Sequence, residues 1–530
     1  MPHLLEMSTA SAPKVLRRTW TWLSISLGVL VVLLLIVGNV VFHHAGPILK
    51  SRVEETLATR FHSRVELDAL NVSILRGVEV SGGGLRIYPP EDIVAARATQ
   101  PLIRVEHFHF HAGILGLFIK PTHVRRVEVN GLEMNIPPRG MRSRQSAENR
   151  HKTEIKIVVE EIICDSSRLI IGTANPKKDP KDFELKHIVL HDLGPNTPWK
   201  YDAVLTNAVP RGEIHSTGTV GPWQIESVGD SFVGGHYTFG HADLNTIKGI
   251  GGVLSSTGDF KGKLNKIVVD GATETPDFSL DTANHPVPLH TQFRAIVDGT
   301  TGDTYLLVVK AKLRNSRFTT RGAVVNIKGQ GHTIDLDLDV PSAEMQDFLD
   351  LAVRTEPAVM TGIITTKTKL HIRAGKESVP QKLALDGRFS VQDIHFTNPK
   401  VQDKVDMLSL RAQGEPKKAK PGAQDVRSEL AGTFQMRNGM LSFRDLIYVL
   451  SGARVHLGGE YSLDGQQFDF HGKVSTEASL SHMVDSPLAS AMLKALSPFF
   501  KSQTGGAEIP VSIRGTKSSP KFGLDVLRHH

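Results

Sequence analysis

The segment HTIDLDLDVP at residues 332–341 constrains the fold most, because apolar and charged residues alternate along it without a break. The apolar set is Ile334, Leu336, Leu338 and Val340, and the charged set is Asp335, Asp337 and Asp339. Successive side chains of a β-strand point to opposite faces, so the segment predicts a strand with one apolar and one charged face. The charged face must meet water, and the function depends on what the apolar face contacts.

The same two-residue period recurs along most of the chain, in segments such as TYLLVVKAKL, GIITTKTKLHI and QFDFHGKV. The 47 glycines fall mostly between these segments and mark turns. Strands do not alternate regularly with helices, which argues against a parallel α/β fold. Only 6% of residues are aromatic, so the strand faces carry mainly aliphatic side chains. We therefore predict a mostly β protein in which an elongated, largely antiparallel sheet curls into a groove, with a few short amphipathic helices.

A transmembrane anchor is predicted near the N-terminus. Residues 19–42 contain no charged residue and include the run LGVLVVLLLIVG. As a helix this segment would be about 36 Å long, and the hydrocarbon core of a bilayer is about 30 Å thick. Trp20 and Trp22 are predicted to lie at one membrane interface. Three basic residues closely precede the segment, so the positive-inside rule places residues 1–18 in the cytoplasm and the bulk of the chain across the membrane.

The rest of the chain divides by its hydrophobic period. The predicted segments are an amphipathic helix at 46–62, an N-terminal β region at 63–138, a basic linker at 139–152, a middle β-groove region at 153–340, a helix at 341–356, and a C-terminal β region at 357–527 that contains a helix at 486–497. Ser342 is the predicted N-cap of the helix at 341–356. The basic stretches lack interleaved aromatic residues, so they predict solvated loops rather than a nucleic-acid partner.

Three histidines alternate with phenylalanines in HFHFH, so His107, His109 and His111 share one face of a predicted strand. Neighbouring imidazoles on such a face are about 7 Å apart, and they reach a common ion only when their rings tilt inward. This pattern favours a hydrated histidine face with Phe108 and Phe110 directed to the apolar side, and we predict no metal site. The sequence leaves the role of the three histidines open.

Catalytic signatures are not found in the sequence: it contains no G-x-S-x-G elbow, no H-E-x-x-H zinc motif and no P-loop. The single cysteine, Cys164, lies in an apolar run and is predicted to be a buried, unreactive thiol. We therefore predict a protein that is not an enzyme, with no catalytic residue and no cofactor.

Two parts of the chain resemble a known family. The anchor and the following helix lead into RVELDALNVSILRGVEVSGGGLRI and RVEHFHFHAGILGLF, and the chain closes with LALDGRFSVQDIHFTNPKVQDKVDMLSLRAQG and GGAEIPVSIRGTKSSPKFGLDV. These stretches resemble the AsmA-like proteins of Gram-negative-type bacteria, which are related to TamB and to bridge-like lipid-transfer proteins. The resemblance covers roughly residues 15–140 and 380–527. It implies a single-pass inner-membrane protein with a periplasmic β-groove that takes part in phospholipid transport or outer-membrane biogenesis.

Two functional hypotheses remain open from the sequence. In the first, a membrane-anchored conduit or carrier binds phospholipid acyl chains along a stripe of apolar side chains, exemplified by Ile334, Leu336, Leu338, Val340, Phe468 and Phe470. In the second, the β region is a closed scaffold with an ordinary core, and it assembles envelope proteins. The two differ in whether the apolar faces stay accessible. A third hypothesis, an extracytoplasmic hydrolase, would require a serine or aspartate to meet a histidine in a cleft.

Overall fold

The structure is a computed structural model. It describes residues 50–524 except 52, 56, 59–62, 74–77, 90–99, 113–121, 137–156, 174, 194–196, 223–227, 282, 284, 353–355, 464–466, 487–505 and 517–518. The predicted anchor at 19–42 with Trp20 and Trp22, the basic linker at 139–152 and residues 487–497 of the predicted helix at 486–497 lie outside the described residues. Within the described part, no helix has the length and apolar character needed to span a membrane. Residues 50, 51, 53–55, 57 and 58, in the predicted amphipathic helix, are helical.

Among the described residues, twenty-five strands form a single sheet. They are β1 (Val65–Glu66), β2 (Ala69–Ser73), β3 (Val78–Ile87), β4 (Ile103–Ala112), β5 (Thr122–Ile136), β6 (Ile157–Ile171), β7 (Lys181–Leu193), β8 (Trp199–Ala208), β9 (Arg211–Val220), β10 (Phe232–Asp243), β11 (Ile250–Gly251), β12 (Val253–Lys263), β13 (Lys266–Leu280), β14 (Val287–Val297), β15 (Thr304–Leu313), β16 (Ser316–Ile327), β17 (Gly331–Glu344), β18 (Met360–Ile372), β19 (Leu383–Phe396), β20 (Ser428–Arg437), β21 (Met440–Leu450), β22 (Ala453–Ser462), β23 (Phe468–Thr476), β24 (Ala507–Thr516) and β25 (Ser519–Leu524). The mostly β fold with one long, open, curled sheet is thereby confirmed.

The sheet is a meander in which almost every strand pairs antiparallel with the next strand in the sequence. Strands β1 and β2 both pair with β3, so they lie end to end along it. Strands β11 and β12 lie end to end along β13 in the same way. The β5–β6 pair is parallel. At a spacing of about 4.8 Å per strand, a flat sheet in this order would be about 105 Å long.

Short helices lie at the strand ends. They are α1 (Met345–Ala352), α2 (Val379–Lys382) and α3 (Pro399–Ala412), with 3-10 turns at Val228–Asp230, Leu244–Thr246, Pro416–Lys418 and Leu480–His482. Helix α1 begins three residues later than the predicted N-cap, because Ser342 still pairs with Arg317 in the β-ladder. The backbone of β17 pairs with β16 up to Ser342 and with β18 up to Glu344, and this pairing outweighs the capping tendency of a serine.

Helix α3 was not predicted, although its ends follow the usual rules. The side chain of Asn398 accepts a hydrogen bond from the backbone N–H of Lys400, and Pro399 occupies the first turn. The helix stops before Gly414, whose φ of 84° is the left-handed conformation that favours glycine. Its last turn joins a buried cluster of Ala412, Val426, Leu450 and Ala453. Helix α3 therefore packs against the ends of β21 and β22, at the turn that joins them.

Contacts between distant loops show how strongly the sheet curls. The loop between β6 and β7 carries Lys178, and its ammonium Nζ lies 2.6 Å from Asp303 Oδ1 in the loop between β14 and β15. Strands β8, β9, β10, β12 and β13 separate these loops, so a flat sheet would hold them about 29 Å apart. Lys178 Nζ also donates to the carbonyl oxygen of Asn326, at 2.6 Å. We refer to Lys178, Asp303 and Asn326 as the clasp.

Candidate functional site

The register of the sheet places all six predicted groove residues on one face. Neighbouring strands bring directly paired residues to the same face, so a row of partners can be followed across the sheet. One row contains Leu336, Leu370, Leu385, Met436, Leu441, Tyr461 and Phe468. The adjacent row contains Leu338, Thr368, Gly387, Phe434, Phe443, Gly459 and Phe470. The two predicted stretches, more than a hundred residues apart in sequence, therefore belong to one continuous surface, which we call the apolar face.

The apolar face is only partly covered by the protein. Ile334, Leu336 and Leu338 are half-buried, and so are Phe468 and Phe470. In the described part of the chain, extensive strand–strand contacts join only neighbours in the sheet, so no second sheet packs on these side chains as in a sandwich. Large contiguous apolar surfaces are rare on monomeric soluble proteins unless something binds them.

Val340 differs from the other five predicted residues because it is fully buried, with 0% of its surface exposed. It lies four residues before the end of β17, which helix α1 follows directly. Phe348 of α1 packs 6.1 Å, centroid to centroid, from Phe318 of β16. Asp347, also fully buried, accepts hydrogen bonds from the backbone N–H and the hydroxyl of Ser316. Val340 therefore belongs to the packed end of β17 next to helix α1. On β17 the accessible part of the apolar face consists of Ile334, Leu336 and Leu338.

Aromatic rings connect the strands of the apolar face beyond Leu338. The ring centroid of Phe389 lies 6.0 Å from that of Phe434 and 6.4 Å from that of Phe443. Phe443 lies 6.0 Å from Phe470. Aromatic pairs at such separations contribute about 0.5–1.5 kcal/mol each beyond the area that they bury. The cluster therefore spans β19 to β23 and stabilises the face without a second layer.

Glycines opposite these rings leave the apolar face flat. A Cβ atom at Gly387 would lie 2.9 Å from Cζ of Phe434, and one at Gly459 would lie 2.8 Å from Cδ1 of Phe470. Both distances are shorter than carbon atoms tolerate, so the rings occupy the space that a side chain would need. Because the rings lie across the glycines, the surface is lined by apolar groups with few protrusions.

The opposite face of the sheet is charged and exposed. Each aspartate of β17 contacts a basic side chain on a neighbouring strand: Asp335 contacts His371 at 2.5 Å, Asp337 contacts Arg321 at 3.4 Å, and Asp339 contacts Lys367 at 3.0 Å. Exposed pairs of this kind add little stability, but they specify which strands lie side by side. The three carboxylates bind different partners and do not converge on one point.

A shallow cavity of about 820 Å³ lies across β15 to β21. Charged residues such as Arg321, Asp337 and Lys367 line it together with Leu338, Thr368 and Phe434 of the Leu338 row. A twisted sheet is saddle-shaped, so each of its faces is concave along one diagonal. Because charged residues and residues of the apolar face line this cavity together, we assign no ligand to it.

The histidine segment lies on β4 as the alternation predicts. Phe108 and Phe110 are half-buried and pair with apolar partners on β5, Val129 and Val127. His107, His109 and His111 belong to the alternate set, on the charged face.

A serine and a histidine meet at the 3-10 turn Leu480–His482. The hydroxyl Oγ of Ser479 lies 2.7 Å from Nδ1 of His482, and the contact is exposed. Ser479 is the residue that precedes the turn, and His482 ends it. The two residues are only three apart in one turn, and their contact is exposed, so we assign no nucleophile–base role to it.

Cys164 is buried as predicted, with 2% of its surface exposed and with no disulfide. Burial, with a smaller contribution from the neighbouring Asp165 carboxylate, raises the pKa of the thiol to about 11. Because the thiolate is the reactive form, we expect Cys164 to resist iodoacetamide at pH 8 in the folded protein and to react fully in urea. Mass spectrometry of the alkylated chain measures both states. Rapid labelling of the folded chain would contradict this prediction.

Comparisons of the chain with protein-family models, with curated proteins and with solved structures found no match.

Proposed function

We propose that the chain is an AsmA-like protein of the bacterial envelope whose apolar face binds phospholipid acyl chains. In this proposal residues 19–42 anchor it in the inner membrane with Trp20 and Trp22 at the interface, and the sheet extends into the periplasm. Its partners are membrane phospholipids, with an envelope protein as a possible additional partner. Its role is in phospholipid transport or outer-membrane biogenesis.

The observation that carries the proposal is a pair of mostly apolar rows that cross the sheet from Leu336 and Leu338 to Phe468 and Phe470. Their end residues are half-buried, and among the residues that the structure describes no second sheet lies over them. An acyl chain is a fitting occupant because it needs no hydrogen-bond partner and can follow a long, level surface. Each methylene removed from water contributes about 0.8 kcal/mol when fully buried. Affinity should therefore rise with chain length, which a closed scaffold would not produce.

The scaffold hypothesis predicts a different packing of the same residues. In a closed core the leucines of β17 would be buried against a facing layer, as Val340 is buried at the packed end of β17. The half-buried state of Leu336 and Leu338 favours the accessible surface instead.

Photo-cross-linking in cells tests the proposal on the full chain. With p-benzoyl-phenylalanine in place of Leu338 or Phe470, we expect phospholipid adducts that mass spectrometry of the purified chain identifies. The same probe in place of Asp337 is the matched control, because that position is adjacent but lies on the exposed charged face. An absence of adducts at both apolar positions, or equal yields at Asp337, would contradict lipid binding by the apolar face.

A further inference from the structure

The charged face of β3 and β4 brings together three side chains that can act as metal ligands. His109 and His111 are two residues apart on β4, so they lie on the same face, and their ring centroids are 4.8 Å apart. Glu79 of β3 is the direct cross-strand partner of His111. Its Oε1 lies 2.8 Å from Nε2 of His109, and its Oε2 lies 3.9 Å from Nε2 of His111. One carboxylate thus lies between two imidazole nitrogens.

These three groups offer ligand atoms that all lie within 4.8 Å of one another. Nitrogen and oxygen ligands about 2.1 Å from a tetrahedral zinc ion lie about 3.4 Å apart. Rotations of the exposed side chains that move the ligand atoms by about an ångström would therefore bring them to the spacing that a zinc ion requires. The side chains of His109, His111 and Glu79 retain 33%, 59% and 47% of their exposure, so they are free to rotate and a metal can reach them from solvent.

A fourth residue is placed to orient one of the ligands. Glu128 of β5 is the cross-strand partner of His109, and its Oε2 lies 3.9 Å from Nδ1 of that ring. With Nε2 of His109 directed at Glu79, the opposite nitrogen faces Glu128. Metal-bound histidines usually donate their second N–H to a carboxylate, which fixes the ring and increases its basicity. At 3.9 Å Glu128 does not hydrogen-bond this ring, but a movement of about 1 Å would make it such an acceptor.

The nearest competing cation is engaged elsewhere. Arg126 is the cross-strand partner of His111, but its guanidinium Nε lies 2.5 Å from Glu161 of β6. The carboxylate of Glu79 is therefore shared by the two histidines, rather than by an arginine.

This cluster differs from the other histidine–carboxylate contacts on the charged face. His187 pairs with Asp165 at 2.6 Å, and His371 pairs with Asp335 at 2.5 Å, one histidine to one carboxylate. One histidine and one carboxylate supply only two ligands and make a weak metal site. Two imidazoles and a carboxylate, in contrast, make up the ligand set of many catalytic zinc centres. Within the residues that the structure describes, Glu79, His109 and His111 are the group of three that converges in this way.

We propose that Glu79, His109 and His111 form a binding site for a divalent transition metal, with zinc as the representative ion. The ligands are Nε2 of both histidines and the carboxylate of Glu79, water completes the coordination, and Glu128 orients His109. Imidazole and carboxylate together suit zinc and its neighbours in the first transition row. A metal held there would link β3 to β4, among the first strands that follow the proposed membrane anchor, so it would stiffen the beginning of the sheet. The site is independent of the apolar face.

Metal titration of the full-length chain in detergent solution tests this proposal. We expect one zinc ion to bind, by isothermal titration calorimetry, with at least tenfold weaker binding after His109→Ala, His111→Ala or Glu79→Gln. His107→Ala is the matched control, because His107 lies on the same strand and the same face but outside the cluster. Its affinity should equal that of the unaltered chain. Cobalt bound at the site should give the visible absorption of a low-coordinate nitrogen–oxygen complex, and His111→Ala should remove it.

Two results would overturn the proposal. The first is unchanged zinc affinity in both His109→Ala and His111→Ala, and the second is an equal loss in His107→Ala. All four altered side chains are partly or fully exposed, so the variants should fold. Circular dichroism melting without metal verifies this, and His111→Gln, which keeps the volume of the side chain, serves as the second variant.

Discussion

Replacing both Leu336 and Leu338 by aspartate should weaken lipid binding by at least tenfold while the sheet remains folded. Both leucines are half-buried, so the new carboxylates can reach water and need not be desolvated in the free protein. When an acyl chain covers them, however, two charges would lie against hydrocarbon, and the contacts of two leucines would be lost. Titration with a fluorescent fatty-acyl phospholipid measures the affinity, and circular dichroism measures the melting temperature.

Two controls separate this outcome from unfolding. Val340→Asp places a carboxylate at a fully buried position of the same strand, so it should destabilise the sheet by several kcal/mol. Asp337→Asn removes a charge on the opposite face and should leave the affinity unchanged. If Leu336→Asp/Leu338→Asp melts as early as Val340→Asp, the two leucines belong to a closed core and the scaffold hypothesis is favoured.

Replacing Lys178 by methionine should destabilise the curled part of the sheet by about 3–5 kcal/mol, the usual result of leaving one member of a buried ion pair without its partner. The side chains of Lys178 and Asp303 retain only 8% and 11% of their exposure. Loss of the ammonium also leaves the carbonyl of Asn326 without its donor. Hydrogen exchange measured by mass spectrometry should show faster exchange in the two loops and the end of β16 that the clasp joins, including residues 298–303.

The double variant Lys178→Met/Asp303→Leu should recover much of the lost stability, because no unpaired charge then remains buried. Arg294→Met is the matched control on the charged face, where Arg294 pairs with Asp270 and both side chains are more than half exposed. It should leave hydrogen exchange in the loops unchanged. Equal effects of Arg294→Met and Lys178→Met would show that the clasp does not hold the curl.

The alternation along each strand predicted the two faces of the sheet correctly, because side-chain direction in a strand depends only on sequence parity. It placed Ile334, Leu336 and Leu338 on one side and Asp335 on the other, as the structure does. It could not show that the Leu338 row continues to Phe470, because that depends on six successive registers with their bulges.

Features created by the curl were not predictable from local pattern. Lys178 lies in the loop segment NPKKDPKD, which is typical of a solvated turn, and only the return of the sheet brings Asp303 to it. Glu79 likewise meets His109 through strand register and not through sequence spacing. Helix α3 is a different case: Asn398 and Pro399 form a start signal that sequence reasoning could have recognised.

In a meander, the length of the sheet can change while the side chains on each of its faces stay the same. Because nearly every strand contacts only its predecessor and its successor, a hairpin inserted between two strands would lengthen the path by about 10 Å and restore the original chain direction. The parity of the flanking strands would stay the same, so both neighbours would keep their leucines and phenylalanines on the original side. Duplication of hairpins is thus a simple evolutionary route by which a sheet of this architecture can become longer while each face keeps its character.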